Sequence, residues 1–254
     1  MSREILVNTK EEMQKAKICI IIPTYNNDKT ISSVIYSVLE YSKDVIVVND
    51  GSTDKTKDIL IELKDQITLI SYPKNKGKGF ALKQGFKKAR EKGFQGAITI
   101  DSDGQHLSED IPLLINAYLK NPNSLIIGQR TFNNPNMPQK NSFANKFSNF
   151  WFKLQTGKKL NDTQTGFRLY PLKKIRKMKP INNRYEAEYE LLVRCAWRNI
   201  QLIEQPINVY YPPIEERVSH FRPTKDFVRI SLLNTFLTIA AFFYGYWSMM
   251  IRRK

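Results

Sequence analysis

Ile98-Thr99-Ile100-Asp101-Ser102-Asp103-Gly104-Gln105-His106 is a short apolar run that ends in two carboxylates one residue apart. The run reads as a buried strand, and acids at its C-terminal edge stand where open α/β sheets bind ligands. Two carboxylates there repel each other and lose hydration. That is costly unless a cation sits between them, and a hard divalent ion carrying phosphate oxygens suits the pair.

The segments around this run alternate between strand and helix. Residues 18–22 are β-rich and closed by Pro23, and 29–41 carry Ile31, Val34, Ile35, Val38 and Leu39 at helical spacing. A second strand at 45–48 ends in Asn49-Asp50-Gly51-Ser52, followed by a helix over 54–64 and a short strand over 68–71. A helix over 79–92 leads into the strand at 97–100. Strands and helices alternating at these lengths predict an α/β fold, a mainly parallel central sheet with helices on both faces. Beyond it the pattern predicts a helix over 111–119, a strand over 125–128 and an Asn- and Pro-rich loop over 133–140. A helical, aromatic and basic stretch over 142–156, an edge strand over 166–170, an amphipathic helix over 186–198 and a last strand over 205–211 complete the series. Neither an internal repeat nor a low-complexity tract interrupts it.

A chain of 254 residues, 41% hydrophobic and 25% charged, is balanced like a globular protein rather than a disordered one. Its net charge of +16 is concentrated: residues 131–185 hold twelve Lys or Arg against one acid, Asp162. Such a surface attracts nucleic acid, phosphate-bearing substrates or an anionic membrane alike. Cys19 and Cys195 lie far apart in apolar contexts, as expected for buried thiols in a reducing compartment. Residues 1–17 are polar and lack the apolar core of a signal peptide, so they read as an N-terminal extension of a cytoplasmic catalytic part. Residues 230–251 contain no charged side chain and are flanked by Arg229 and Arg252, a length that crosses a bilayer. Asn234, Thr235 and Thr238 weaken that reading, and the Tyr244-Gly245-Tyr246-Trp247 cluster suits a headgroup interface.

Several motifs carry chemistry and each has a plain structural alternative. Asp50 at a strand end accepts hydrogen bonds from a base or ribose in a nucleotide site, yet Asp-Gly turns with a Ser cap occur in any α/β protein. Asn75-Lys76-Gly77-Lys78-Gly79 offers Lys78 and helix N-terminal amides to phosphate, though its spacing is not that of a P-loop. Asp101 and Asp103 also suit a haloacid-dehalogenase-type phosphatase, but three strands precede them here and Gln105-His106 follow. A calcium loop fits poorly, since Gly104 arrives too early and no Glu closes the loop. His106 reads better as a loop histidine than as a ligand. Arg130 reaches over the same sheet edge as a bidentate phosphate donor, with Arg168 a second clamp. Glu186 and Glu188 open a helix, where the helix dipole alone favours them.

Taken in order, PTYN at 23–26, VVNDGSTD at 47–54, the 75–85 region, IDSDGQH at 100–106, GQR at 128–130 and DTQTGFRLY at 162–170 resemble the family 2 inverting glycosyltransferases, most closely their dolichyl-phosphate mannosyltransferase-like branch. The resemblance covers residues 18–213 and implies a GT-A fold with a Rossmann-like sheet, followed by a basic segment and a membrane-associated helix over 214–254. Carried over, it implies that Pro23, Tyr25 and Asn27 line the nucleotide pocket and that Asp50 holds the base. Asp101 contacts ribose or sugar, and Asp103, helped by Gln105, binds the Mg²⁺ or Mn²⁺ that bridges the diphosphate. Arg130 meets the acceptor phosphate or the donor diphosphate, and Arg168 is the weaker second candidate. Asn27 stands where the familiar motif carries Glu, and only Lys140 or Lys146 stands near the branch's second phosphate-binding arginine. A phosphate acceptor is already ionised, whereas a hydroxyl acceptor needs a base, for which Glu188 or Glu186 is placed.

The resulting expectation is a metal-dependent transferase that moves a hexose from a UDP- or GDP-sugar to a lipid phosphate or other lipid-linked acceptor at the cytoplasmic membrane face. A cell-envelope hydroxyl acceptor is the alternative, and a phosphatase or a basic nucleic-acid-binding module the rival of another class. An anionic membrane surface is the expected partner; no nucleic acid is expected, and a homo-oligomer is left open.

Overall fold

Apolar, β-branched runs form strands β1 (Ile18–Thr24), β2 (Val45–Asn49), β3 (Thr68–Ser71), β4 (Gly96–Thr99), β5 (Leu125–Arg130), β6 (Arg168–Pro171) and β7 (Leu202–Ile207). The structure is a computed structural model that describes residues 3–130, 139–178, 180–211 and 223–252. Between and around the strands lie α1 (Arg3–Lys15), α2 (Ile31–Leu39), α3 (Thr56–Glu62), α4 (Lys78–Glu91), α5 (Ile111–Lys120), α6 (Gln139–Thr156), α7 (Leu172–Ile175), α8 (Glu186–Trp197), α9 (Pro223–Ala240) and α10 (Tyr246–Ile251).

The strands form one sheet in the order β3-β2-β1-β4-β6-β5-β7. Every pairing is parallel except those of β6, which runs antiparallel between β4 and β5. The chain builds β1, β2 and β3 outward on one side and returns to place β4 on the other flank of β1. The crevice beyond the C-terminal ends of β1 and β4 is therefore the topological switch point, where open α/β sheets take their ligands. The loops after β1, β2, β3, β4 and β5 all open on that edge.

Strand side chains alternate between faces, so the same runs supply two cores. Cys19, Ile21, Ile46, Val48, Ala97 and Ile127 face one layer with Phe86, Phe152, Leu192 and Trp197 from α4, α6 and α8. Ile20, Ile22, Val45, Val47, Ile98 and Ile126 face the other, with Ile35, Leu60, Leu114 and Met13 from α2, α3, α5 and α1. Both cysteines are free and buried.

One expectation is corrected, and one helix stands where none was expected or excluded. The stretch over 166–170 is an interior strand, not an edge, with Ile98 and Ile126 both opposite Leu169; burial on both faces is written in its residues, but its neighbours are not. The polar N-terminal stretch holds α1, whose Met13 and Thr9, one helical turn apart, are buried. Residues 133–138 of the predicted loop and 214–222 of the predicted basic segment lie outside the described residues.

The C-terminal helix continues from α9 through a π-helical turn, Ala241–Gly245, into α10. Two of its polar residues face the domain: Asn234 and Ser248 are buried with Leu233, Leu237 and Ala241, whereas Thr235 is exposed. Gln155 Nε2 donates to the Asn234 carbonyl and side-chain oxygen, each at 3.2 Å, and Asn199 Nδ2 donates to the Met249 carbonyl at 2.7 Å. The outward stripe, Leu232, Phe236, Ile239, Phe243, Trp247 and Met250, is exposed, Phe243 by 83%. The helix over Val228–Ile251 has the length and apolarity to cross a membrane, with 28% of its most apolar window buried within the protein.

Candidate active site

The loop that follows β4 carries the carboxylates. Asp101 lies on the switch-point edge, and Lys78, the first residue of α4, places its Nζ 2.6 Å from Asp101 Oδ1 and 2.7 Å from Glu188 Oε2. Glu188 comes from the first turn of α8. The two helix starts meet because Gly79 has no side chain: a Cβ there would stand 2.3 Å from the Ala187 Cβ and 2.8 Å from the Arg184 carbonyl oxygen. Gly166 gives Asp101 its room in the same way, since a Cβ would fall 2.5 Å from Oδ2.

This arrangement separates the two aspartates electrostatically. Burial pushes the Asp101 carboxyl up, but the surrounding positive groups, the Lys78 ammonium foremost among them, together hold Asp101 below the usual carboxylate range. Burial and the charge of Asp101 push Asp103 up. Lys78 is itself raised, because the two carboxylates overcome the cost of burying its charge. Asp103 Oδ1 accepts the Gln105 backbone N–H at 3.0 Å, and the Gln105 carbonyl accepts from Tyr210 N at 2.9 Å. His106 is buried, its Nδ1 3.9 Å from Asp101 Oδ2, and burial lowers its pKa, favouring neutral imidazole.

Arg130 closes the other side. At the end of β5, its Nε and Nη2 donate to Asp162 Oδ2 and Oδ1 at 2.6 and 2.9 Å. Asp162 is fully buried and also accepts the backbone N–H groups of Arg130, Gln164 and Thr165. This bidentate clamp fixes the guanidinium plane on the site edge. The pairing passed unnoticed in the sequence, although an aspartate at the head of a Thr-Gln-Thr-Gly turn was its signal.

The remaining residues take structural positions. Asn27 Nδ2 donates to Ser102 Oγ at 2.8 Å and to the Tyr25 carbonyl at 3.2 Å, tying the loop after β1 to the Asp101–Asp103 turn. Pro23 is buried at the end of β1, and Tyr25 follows it, half-buried. Asp50, expected to hold the base, is 2% exposed and braces the next loop: its two oxygens accept the backbone N–H groups of Lys76 and Gly77, each at 2.7 Å. Arg168 is not a phosphate clamp. It is fully buried, and its guanidinium donates to the Thr163 carbonyl at 2.8 Å, the Glu188 carbonyl at 3.0 Å and Tyr170 Oη at 3.3 Å. It ties the Asp162–Gly166 turn to α8 and thereby sets the position of Glu188.

Lys78, Asp101, Asp103, Arg130 and Glu188 thus share one edge. Among the described residues no cluster of three or more His, Cys, Asp or Glu forms a metal cage. The donor set instead fits a hard cation completed by substrate oxygens: Asp101 is already paired with Lys78, while Asp103 is a carboxylate whose ionised form lacks compensating charge.

Residues 19–178 match the model of glycosyl transferase family 2. The UDP-N-acetylglucosamine–dolichyl-phosphate N-acetylglucosaminyltransferase of Methanococcus voltae is 31% identical over 216 residues, spanning 76% of this chain and 86% of that protein. The dolichyl-phosphate beta-glucosyltransferase of Dictyostelium discoideum is 25% identical, over 89% of this chain and 77% of its own. Glucosyl-3-phosphoglycerate synthase from Mycobacterium tuberculosis, solved in complex with Mn²⁺, UDP and glucosyl-3-phosphoglycerate, superposes with a TM-score of 0.67 at 18% identity, covering 93% of this chain and 83% of that one. That likeness shows a shared GT-A fold.

Proposed function

The chain belongs to glycosyl transferase family 2, and we propose that it moves a hexose from a nucleoside-diphosphate sugar to a polyprenyl-phosphate acceptor at a membrane surface. The observation that carries this reading is the division of labour between Asp101, neutralised by Lys78, and Asp103, left to a cation on the switch-point edge. Membership in a glycosyltransferase family supports the transferase reading over the phosphatase and nucleic-acid readings of the same residues. The names of the Methanococcus voltae and Dictyostelium discoideum relatives support a dolichyl-phosphate class of acceptor. The Mycobacterium tuberculosis complexes with Mn²⁺ and UDP-glucose support the donor and cation.

Asp103, with Gln105 beside it, would hold Mg²⁺ or Mn²⁺, which supplies positive charge to the departing nucleoside diphosphate. Lys78 keeps Asp101 ionised and fixed, so that Asp101 can receive hydrogen bonds from a ribose or sugar hydroxyl. Arg130, locked by Asp162, presents a preorganised cation toward phosphate oxygens and needs no reorientation when charge develops. In the transfer an acceptor phosphate oxygen forms the new bond to the sugar carbon as the bond to the diphosphate breaks on the opposite face. No proton has to be removed from such an acceptor, so no general base is required. The exposed stripe of the C-terminal helix, which includes Trp247 and is followed by Arg252, supports a membrane-facing surface.

The test is transfer of labelled sugar from a panel of UDP- and GDP-hexoses to a polyprenyl phosphate in detergent with Mg²⁺ or Mn²⁺. Turnover with one donor, abolished by chelation, is the expected result. Failure of every donor with every polyprenyl phosphate, in protein shown to be folded, would overturn the acceptor and donor assignment.

A further inference from the structure

Two buried polar atoms beside Asp101 have no hydrogen-bond partner: Glu188 Oε1 and His106 Nδ1. Both side chains are nearly closed to solvent, exposed by 10% and 7%. A buried carboxylate oxygen without a donor is costly, and such an atom at a ligand site marks a position that a ligand group fills.

The other oxygen of Glu188 is held by Lys78, and the backbone carbonyl of the same residue accepts from Arg168. Glu188 is therefore anchored at two points, with one oxygen left over. The anchoring ammonium touches Asp101 as well, so both carboxylates lie within hydrogen-bond reach of one nitrogen. Held through Oε2 by the Lys78 ammonium, the Glu188 carboxyl group turns Oε1 out as a fixed hydrogen-bond acceptor.

We propose that Glu188 Oε1 is a specificity-determining acceptor for a hydroxyl of the donor hexose, with His106 Nδ1 flanking the same subsite, rather than a general base. This rests on the donor reading above. A hydroxyl donates to Oε1 and completes its coordination, and a donor lacking that hydroxyl leaves the oxygen unpaired. Sites built this way reject the deoxy analogue far more strongly than apolar pockets reject a missing methylene.

The experiment is calorimetric titration of wild type and Glu188→Gln, with Mn²⁺, against a nucleoside diphosphate alone and against its sugar form, using UDP-glucose, UDP-N-acetylglucosamine and GDP-mannose. The wild type should bind one sugar nucleotide more tightly than the bare diphosphate. Glu188→Gln should keep the diphosphate affinity within about twofold and lose about ten- to a hundredfold of the sugar's added affinity. A matched deoxy or fluoro donor should show that loss in the wild type and little further loss in the variant. Where Glu188→Gln does not fold, Glu188→Asp keeps the charge and withdraws the oxygen, with the same expectation. Equal loss for diphosphate and sugar nucleotide, or unchanged sugar affinity with kcat abolished, overturns the inference, the latter in favour of a base. Wild type that binds none of the nucleotides overturns the donor reading itself.

Discussion

Replacing Lys78 with Met keeps the length of the side chain and removes the charge that joins Asp101 to Glu188. Breaking a buried pair by deleting one partner costs about 3–5 kcal/mol, because the other charge stays buried without compensation. Here the side chains of Lys78, Asp101 and Glu188 keep 17%, 24% and 10% of their exposure, so solvent screens part of the effect. An expected loss of about 2–4 kcal/mol follows. Its pH dependence has a definite sign. With Lys78 present, the Asp101 pKa is depressed, so its stabilising contribution is full above the unfolded value near 3.9 and is lost as pH falls through the folded value. Without Lys78, burial and the neighbouring carboxylates push Asp101 the other way, and the variant is penalised wherever that group must ionise. The gap between wild type and Lys78→Met should therefore be widest near neutral pH and narrow below about pH 5. Urea denaturation at several pH values reads it directly. A gap that is small, or equal at acid and neutral pH, would show that Lys78 acts by packing and refute the charge argument.

Gly166→Ala forces a methyl group within 2.5 Å of Asp101 Oδ2 and should swing that carboxylate off Lys78. Steady-state kinetics should show at least about a tenfold loss of kcat/KM with only about 1–3 kcal/mol of stability lost. Asp162→Asn removes the charge that Arg130 pairs with and turns an amide N–H₂ against the guanidinium; thermal melting should show a loss of about 2–4 kcal/mol. Gln155→Leu removes the donor that holds Asn234 and the acceptor of the Tyr189 hydroxyl. It should cost about 1–3 kcal/mol and expose the C-terminal helix to limited proteolysis before the sheet domain is cut.

Element order was readable because hydrophobic period and turn residues act locally. The strand at 68–71 and the helix at 111–119 stand within a residue of their expected ends. What failed was non-local. Residues 166–170 carry the burial of a strand, but only the completed sheet shows β6 to be interior and antiparallel. α1 was missed because the stretch is polar overall, with Ile5, Leu6, Val7 and Met13 its apolar residues among charged and amide side chains. At the site, the placing of Asp101 and Asp103 just beyond the C-terminal end of β4 was legible. Partners were not: Lys78 and Glu188 are far apart in sequence, as are Arg130 and Asp162, and each pair meets only when the loops and helix starts converge. Arg168 illustrates the converse, since a lone arginine after a turn looks the same whether it faces phosphate or braces a core.

The central claim is that Asp103 is the cation-holding carboxylate of a sugar-nucleotide site, and Mn²⁺-dependent donor binding by Asp103→Asn tests it most directly. Because burial and Asp101 raise its pKa, wild-type affinity for cation plus donor should fall, as pH drops, sooner than for an ordinary aspartate. The asparagine variant should stay folded and bind the sugar nucleotide equally with and without Mn²⁺, losing the metal-dependent gain at every pH. A variant that keeps the full Mn²⁺-dependent gain would contradict the account.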